Sequence, residues 1–288
     1  MILNKLPISV IILTHNEELN IGPCLESVVS WAGEVVVVDS GSSDRTTEIV
    51  SQFTDKIYYN KFENYSFQRN WAQDNLPLAF QWLFHVDADE RVSVDLVSEL
   101  QSIFKNGEAN QAIAGYLVRR RIEFLGRHIK HGGLYPSYHC RIFQKDRGRC
   151  EDKAYDQHFY VNGPILKIEA DLIELTAISL SSWTSRHNRW AQMEASYLFK
   201  DSINQRETIN PGLTGSPIER RRWLKVNLYE NGPLFLRSFL YFVFRYFLRC
   251  GFLDGVPGLI YHVLHGFWFR FYIDSCYYEM KEESKAHE

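Results

Sequence analysis

Four consecutive valines, Val35, Val36, Val37 and Val38, are the feature that most restricts the fold of this chain. A strand with no polar residue in alternation is buried on both faces, as at the centre of a parallel sheet covered by helices. Similar short runs predict strands at 8–14, 34–39, 56–60 and 82–87. Between them, amphipathic segments predict helices at about 21–31, 44–53, 66–75 and 93–105. The order of these elements predicts an α/β fold with a mostly parallel central sheet flanked by helices.

Composition excludes several classes of protein. The chain has 288 residues, of which 45% are hydrophobic, so it can form a sizeable core and is not globally disordered. Its net charge of -3 gives no basic footprint for a nucleic acid. The five cysteines show no zinc-site spacing and fit a reducing compartment. The apolar run at 10–13 is too short for a signal peptide, so we expect a cytoplasmic protein.

The most apolar and aromatic part of the chain lies near its C-terminus. The stretches 234–248 and 256–272 approach the length of a spanning helix, but Arg237 and Arg245 interrupt the first. Aromatic residues interleaved with arginine are typical of helices that lie in the membrane interface. A basic cluster at 220–222 precedes them, as expected near a membrane. Core helices, or helices packed on a second copy in a homo-oligomer, are the alternative.

Polar residues follow three of the predicted strands. Ligands of open parallel sheets bind at the carboxyl ends of the strands, so these residues are the first candidates for a site. They are Thr14, Asn16 and Glu17 after the first strand, Asp39 and Ser42 after the second, and Asp87 and Asp89 after the fourth. No glycine-rich dinucleotide or phosphate-binding loop follows the first strand, which argues against both classes of nucleotide site.

Asp87 and Asp89 stand two positions apart at the end of a buried strand. In an extended segment this spacing places both carboxylates on one side. Hard oxygen ligands suit Mg²⁺ or Mn²⁺ held jointly by the protein and a substrate diphosphate. Acidic residues are also common at helix starts, where they complement the helix dipole.

Four motifs together resemble a known family. They are T-x-N-E at 14–17, V-V-D-S-G-S-x-D-x-T at 37–46, Arg69-Asn70, and H-V-D-A-D-E-R at 85–91. Their order and spacing resemble family 2 glycosyltransferases of the GT-A fold, above all the bacterial branch with lipopolysaccharide-core β-glucosyltransferases. The resemblance covers about 7–195. It implies a catalytic domain at 1–205, with a nucleotide-sugar half to about 110 and an acceptor half after it, and a helical region at 206–288.

The resemblance also implies roles for individual residues. Asp89 and Asp87 match the metal-flanking pair, and Arg141 matches an arginine that can bind the diphosphate. Asp44 and Thr46 are expected to order the helix that follows them. The positions that match nucleotide-sugar contacts are Thr14, Asn16, Glu17, Asp39, Ser42, Arg69 and Asp87.

An acceptor hydroxyl must lose a proton, which calls for a carboxylate base. The first candidate is Asp156, followed by Asp152 and Glu151. Related enzymes often carry a V-H-E run near this place, and this chain lacks it. His158 could orient the base or contact phosphate.

Two further segments could serve the acceptor. The segment at 132–136 resembles the flexible acceptor-side loop of the family. Arg186 and Arg189, three apart on a predicted helix at about 182–206, could meet the phosphate of a lipid-linked acceptor.

The leading hypothesis is therefore a metal-dependent, inverting glycosyltransferase. It would move a hexose, by default glucose from a UDP-sugar, to a lipopolysaccharide or other envelope or exopolysaccharide acceptor at the inner face of the cell membrane. One alternative is a sugar-phosphate nucleotidyltransferase, although the expected glycine-rich phosphate loop is missing. The other is a non-catalytic, membrane-associated protein that binds nucleotide sugars.

Overall fold

The computed structural model describes residues 5–105, 111–152, 157–176, 179–201, 223–224, 227, 229 and 231–286. Contacts divide the chain into two compact units. The first comprises Met1–Arg120, Ser137–Asp152 and Gln157–Leu175, and the second comprises Arg121–Pro136, Lys153–Asp156 and Thr176–Glu288.

A large mixed sheet dominates the first unit. Its strands lie in the order β3-β2-β1-β4-β8-β6-β11-β5, and β7 pairs with β6. The strands β3, β2, β1 and β4 run parallel, whereas β8 pairs antiparallel with both β4 and β6. Strands β9 and β10 form a separate antiparallel pair. The bounds are β1 Leu6–Thr14, β2 Ala32–Asp39, β3 Ile57–Tyr59, β4 Trp82–Asp87, β5 Glu90–Val92, β6 Gly115–Phe124, β7 Arg127–His128, β8 Ser137–Gln144, β9 Gly148–Cys150, β10 Phe159–Val161 and β11 Ile165–Leu175.

The valine run occupies the interior of the parallel half. Val37 pairs in register with Ile12 of β1, and Ile12 pairs in turn with Val86 of β4. All three side chains are buried, as expected for a strand covered on both faces. The predicted α/β fold class is confirmed, and the antiparallel half of the sheet follows β4.

Three of the four helices of the parallel half are shorter than the sequence predicts, and the third matches its predicted bounds to within one residue. They are α1 Ile21–Glu26, α2 Thr46–Val50, α3 Tyr65–Asn75 and α4 Val94–Ile103. The prediction that the first helix reaches residue 31 is wrong. It ends at Glu26, where the Ser27 hydroxyl donates to the Cys24 carbonyl and competes with the helical backbone pattern. In contrast, Asn64 and Ser93 cap α3 and α4 through their side chains.

Glu34 holds several segments of the sheet together. Its buried carboxylate accepts hydrogen bonds from the Ser9 hydroxyl of β1, the Lys56 ammonium before β3 and the Ala79 amide before β4. Burial alone would raise the pKa of Glu34, but the bonds from Lys56, Ser9 and Ala79 outweigh it and lower that pKa. The charged carboxylate is therefore the form that the folded state prefers.

The second unit is largely helical. It contains α5 Leu180–Asp201, α6 Leu236–Val243, a π-helical segment Phe244–Leu248, a 3₁₀ turn Gly251–Asp254, α7 Gly255–Tyr261, a second π-helical segment His262–Trp268 and α8 Phe269–Ala286. Ala191 and Ala195 of α5 pack against Phe269 and Ile273 of α8. This packing groups α5 with the C-terminal helices, whereas the sequence places their boundary at 205. None of the described helices combines the length and hydropathy needed to span a bilayer.

We expect Glu34→Gln to lower the free energy of unfolding by about 1–3 kcal/mol at pH 7, because it removes a charge-assisted hydrogen bond. The Glu34 carboxylate has a lowered pKa, so its contribution is complete above its ordinary value near 4.5 and is lost as the pH falls. The difference between variant and wild type should therefore shrink in acid. Urea titrations across pH measure it. Glu48→Gln, in an exposed pair with Arg45, is the control. A difference that stays constant with pH would contradict this assignment.

Candidate active site

The loops after β1 and β2 are tied to each other by hydrogen bonds. The Asn16 amide donates to the Ser42 hydroxyl at 2.9 Å, and the Ser43 amide donates to Asn16 Oδ1 at 2.8 Å. Asn16 has φ +53°, a conformation that asparagine tolerates better than most residues. The Glu17 amide donates to Thr46 Oγ1 at 2.8 Å. The structure therefore brings the predicted residues of these two loops together.

Asp39 organises the second loop. Its Oδ2 accepts from the amides of Gly41 at 2.8 Å and Ser42 at 2.9 Å, and its Oδ1 accepts from the Ser42 hydroxyl. Gly41 has φ +93°, which favours glycine at this turn. Thr14 is the last residue of β1 and pairs in register with Asp39. Its buried hydroxyl has no hydrogen-bond partner within the described part of the chain.

Asp44 and Thr46 order the start of α2 as the sequence predicts. Asp44 Oδ1 accepts from the Thr46 amide at 3.0 Å, which satisfies the first amide of the helix. Both residues also bind the loop after β1. Asp44 Oδ2 accepts from the Glu18 amide at 3.1 Å, and Thr46 Oγ1 accepts from the Glu17 amide.

Asp87 lies between two arginines at the end of β4. Arg69 Nη2 of α3 donates to Asp87 Oδ1 at 2.6 Å, and Arg141 Nη2 of β8 donates to Asp87 Oδ2 at 3.1 Å. The same Arg141 nitrogen donates to Glu90 Oε1 at 2.7 Å. Glu90 Oε2 accepts from the Asp87 amide at 2.8 Å. We call Arg69, Asp87, Glu90 and Arg141 the arginine–carboxylate cluster.

The charges of this cluster shift one another's titration. Burial alone would raise the pKa of Asp87, but Arg69 and Arg141 hold it well below its usual range. Burial raises the pKa of Glu90 to about 8, with the Asp87 charge acting in the same direction. Burial opposes the charged form of Arg141, yet Glu90 and Asp87 raise its pKa above the usual value. Asp87 and Arg141 therefore stay ionised together.

Two guanidinium groups keep spare donors. Arg69 Nε and Arg141 Nη1 are buried and have no hydrogen-bond partner among the described residues. A buried cationic N–H without an acceptor costs free energy, so such a group marks a place where an anion would be stabilised. The cluster therefore has the chemistry of an anion site.

His85 lies on the same face of β4 as Asp87 and packs between aromatic rings. No role was predicted for it from the sequence. Its ring stacks on Phe143 with centroids 5.5 Å apart and lies 4.7 Å from Phe159. Burial lowers the pKa of His85 well below its usual range, so it is neutral. Phe159 also lies beneath Arg69, whose Cζ is 5.4 Å from the ring centroid. The sequence feature that could have indicated this position is the two-residue spacing of His85 and Asp87, which puts both side chains on one face of the strand.

Asp87 is a poor candidate for direct metal ligation, because guanidinium groups bind both of its oxygens. Asp89, two residues later, is partly exposed. Within the described ranges, no group of three or more His, Cys, Asp or Glu side chains is arranged to hold a metal ion.

The candidates for the base have different surroundings. Asp156 lies outside the described residues, whereas Asp152 is exposed and Glu151 is buried. Glu151 Oε1 accepts from the His158 amide at 2.8 Å and lies 3.2 Å from His158 Nδ1. His158 in turn stacks on His139, with centroids 5.8 Å apart. His158 therefore orients Glu151 in this structure.

The acceptor candidates of the second unit are mostly held by protein contacts. Arg186 donates to the Thr176 carbonyl at 2.9 Å and lies over the Trp190 ring, whereas Arg189 is exposed. Both arginines lie three apart on α5, as predicted, and their role toward an acceptor phosphate stays a prediction. In the loop predicted to be flexible, Gly132 is fixed on both sides by the C-terminal helices: its amide donates to the Arg249 carbonyl at 2.9 Å, and its carbonyl accepts from Arg245 Nε at 2.8 Å.

We expect Arg141→Leu to destabilise the protein by about 3–5 kcal/mol, because it removes the buried guanidinium that donates to both Asp87 and Glu90. The matched control is Arg149→Leu, which breaks a partly exposed pair with Asp74 and should cost about 1 kcal/mol or less. Chemical denaturation of both variants measures the difference. Equal losses would mean that the arginine–carboxylate cluster contributes no more than a surface ion pair.

Comparison with known proteins yields one family and several similar chains. The glycosyl transferase family 2 model matches residues 9–160. Lipopolysaccharide core biosynthesis glycosyltransferase LpsC of Rhizobium meliloti is 31% identical over 150 residues, which are 50% of this chain and 53% of that protein. An uncharacterised glycosyltransferase of Rickettsia typhi is 31% identical over 119 residues, 41% of this chain and 40% of that protein. The chain thus spans about half the length of these relatives, or less.

Solved structures are more distant. TarS of S. aureus in complex with UDP is 15% identical, with a TM-score of 0.43 over 98% of this chain and 92% of that one. Glucosyl-3-phosphoglycerate synthase of Mycobacterium tuberculosis with Mn²⁺, UDP and phosphoglyceric acid is 14% identical, with a TM-score of 0.44 over 66% and 77% of the two chains.

The matched segment runs from β1 to β10 and contains the two tied loops and the whole arginine–carboxylate cluster. It covers more than half of the 288 residues. The family predicted from the four motifs is thereby confirmed, and the chain belongs to glycosyl transferase family 2.

Proposed function

We propose that this protein transfers a hexose, by default glucose from UDP-glucose, to a saccharide acceptor with inversion at the anomeric carbon. The observation that carries the proposal is the arginine–carboxylate cluster. It offers buried cationic donors at the carboxyl end of β4, where an α/β sheet binds its ligand. A nucleotide diphosphate is an anion that such donors would stabilise.

The base and ribose of the donor belong at the two tied loops. Asp39 Oδ1 is engaged by one rotatable hydroxyl, that of Ser42, and a carboxylate oxygen can accept a second bond from a ribose hydroxyl. The buried Thr14 hydroxyl is a further unused polar group at this place. Asn16 and Glu17 would contribute mainly by fixing the loop, because their amides bind the hydroxyls of Ser42 and Thr46.

The diphosphate belongs beside Arg69 and Arg141. Negative charge grows on the leaving nucleotide as the glycosidic bond breaks, and fixed cationic donors stabilise that charge without rearranging. Asp87 sets the positions of both guanidinium groups before the donor arrives. It therefore acts as a positioning residue in this proposal.

Asp89 would hold a Mg²⁺ or Mn²⁺ ion, with the substrate diphosphate supplying further oxygen ligands. A divalent ion in this place supplies additional charge stabilisation for the leaving group.

Asp156 remains our candidate for the base that takes the proton of the acceptor hydroxyl. Glu151 is the less suitable carboxylate, because the His158 amide and ring already hold it in a buried position. Deprotonation and attack from the face opposite the leaving group complete the reaction in one displacement, which inverts the configuration.

A lipopolysaccharide or other envelope saccharide is the acceptor that we propose, at the inner face of the cell membrane. Support comes from the name of the relative LpsC. A nucleotidyltransferase gains no support, since no glycine-rich phosphate loop follows β1.

We expect UDP to bind more tightly than GDP, and Mn²⁺ or Mg²⁺ to strengthen UDP binding about tenfold or more. Asp89→Ala should abolish the metal effect because it removes the proposed metal ligand. Asp95→Ala, an exposed carboxylate on α4, is the matched control and should leave it intact. Calorimetric titration of each nucleotide with and without metal measures both effects. Absence of UDP and GDP binding would overturn the proposed function.

Asp156→Asn should lower the rate of UDP-sugar turnover about 10²–10⁴-fold while leaving UDP affinity unchanged, because a base acts only in the chemical step. Turnover can be followed as UDP release, with water as a slow acceptor. Glu151→Gln is the comparison variant and should retain more activity than Asp156→Asn. The reverse ranking would assign the base to Glu151. Catalytic turnover of any kind would rule out the non-catalytic alternative.

A further inference from the structure

The second unit carries a row of exposed apolar side chains on its C-terminal helical segments. Leu248 is 71% exposed and Val256 is 69% exposed. Soluble proteins rarely expose large contiguous apolar patches unless another surface covers them. We call this row the apolar face; it comprises Leu236, Phe239, Leu240, Phe244, Phe247, Leu248, Phe252, Leu253, Val256, Leu259 and Val263.

Four charged side chains of the C-terminal helical segments are buried: Arg237, Arg245, Asp254 and Asp274. Arg237 is buried and its Nε donates to Asp274 Oδ1 at 2.9 Å. The other Asp274 oxygen accepts from the Phe235 amide at 2.8 Å and from the Ser238 hydroxyl at 3.1 Å. This ion pair therefore removes both an arginine and a carboxylate from the surface.

A second group of contacts does the same for Arg245 and Asp254. Arg245 Nε donates to the Gly132 carbonyl, and its Nη1 donates to the Tyr241 hydroxyl. Asp254 is 2% exposed and accepts from the His131 amide at 2.8 Å. The arginines that interrupt the apolar run in the sequence are thus not surface charges.

One cation remains on the surface. Across residues 231–278, all of which the structure describes, Arg249 is the exposed charged side chain, and the acids Asp254 and Asp274 are both buried. Arg270 is partly exposed, with its guanidinium over the Tyr241 ring. In the sequence, a segment of mixed charge precedes the face, with Arg220, Arg221, Arg222 and Lys225 between Glu219 and Glu230.

We propose that the apolar face docks on an anionic lipid bilayer, with its helical segments lying in the headgroup region. Exposed phenylalanine and leucine side chains supply the apolar contact, and the cations complement anionic headgroups. None of the described helices is both long and apolar enough to span a bilayer, and the proposed contact lies in the plane of the interface.

A second copy of the chain is a weaker occupant. A two-fold interface brings the same patch against itself. The apolar face carries the Arg249 cation and no exposed carboxylate to pair with it. Within residues 231–278 the exposed charge is a cation and no carboxylate is exposed, which complements anionic lipid better than it complements the same patch on a second copy.

The test is flotation of the whole protein with phosphatidylcholine vesicles, with and without phosphatidylglycerol. We expect binding to the anionic vesicles at low salt, and at least about a tenfold loss for Leu248→Asp combined with Leu253→Asp. Val94→Asp changes a side chain that is 82% exposed in the first unit and should bind as the wild type does. Thermal melting checks that each variant is folded.

Hydrogen exchange of the unaltered protein keeps the proposal testable if the double variant fails to fold. Anionic vesicles should protect amides of residues 244–263 and leave those of α4 unchanged. Absence of flotation, or equal flotation of wild type and a folded double variant, would overturn the proposal. So would a dimer in solution that the double variant dissociates without any lipid binding. None of these measurements involves a nucleotide, so their outcome is independent of the proposed transferase activity.

Discussion

The arginine–carboxylate cluster is the interaction on which the first unit most depends. It joins α3, β4, β5 and β8 through Arg69, Glu90 and Arg141, which are largely buried, and Asp87, whose side chain is 30% exposed. A buried ion pair is costly unless its hydrogen bonds are well placed. Here both oxygens of Asp87 and both oxygens of Glu90 have donors. The cluster also retains N–H groups on Arg69 and Arg141 that no described residue accepts. A purely structural network would be expected to satisfy them, which is why we connect this one with anion binding.

The parallel half of the sheet provides the rigid base for these charges. Buried β-branched strands place Thr14, Asp39 and Asp87 at their carboxyl ends in adjacent positions, since Thr14 pairs with Asp39 and Leu13 with Asp87. Hydrogen bonds between the two loops then fix Asn16 and Ser42. Rigid strands with tied loops are a general way to hold polar groups at set distances.

The second unit handles its charges differently. Arg237 with Asp274, and His131 with Asp254, form contacts within the unit that leave apolar side chains on the outside. Burying charge while exposing phenylalanine is unfavourable in water alone. This arrangement becomes favourable when a bilayer covers the exposed apolar side chains, as we propose.

Much of the fold could be predicted because it depends on local pattern. The valine run and the apolar lead-in to Asp87 identified the central strands. The spacing of polar residues after them identified the family and supplied most of the residues that we propose for the site. Other features depend on contacts between distant residues. The ion pair of Glu90 is one example, because its partner Arg141 lies 51 residues away in the chain and no local pattern indicates it.

The sequence by itself determined the α/β class, the family and the set of residues from which a site could be built, since periodicity and motif spacing are properties of the chain. Tertiary structure decided how their charges are used. It bound Asp87 to two arginines rather than leaving it open, paired Glu151 with His158, and turned Arg237 and Arg245 inward. The physical reason is that the state and direction of a charged side chain depend on its partners in space, and these partners come from segments far apart in the sequence.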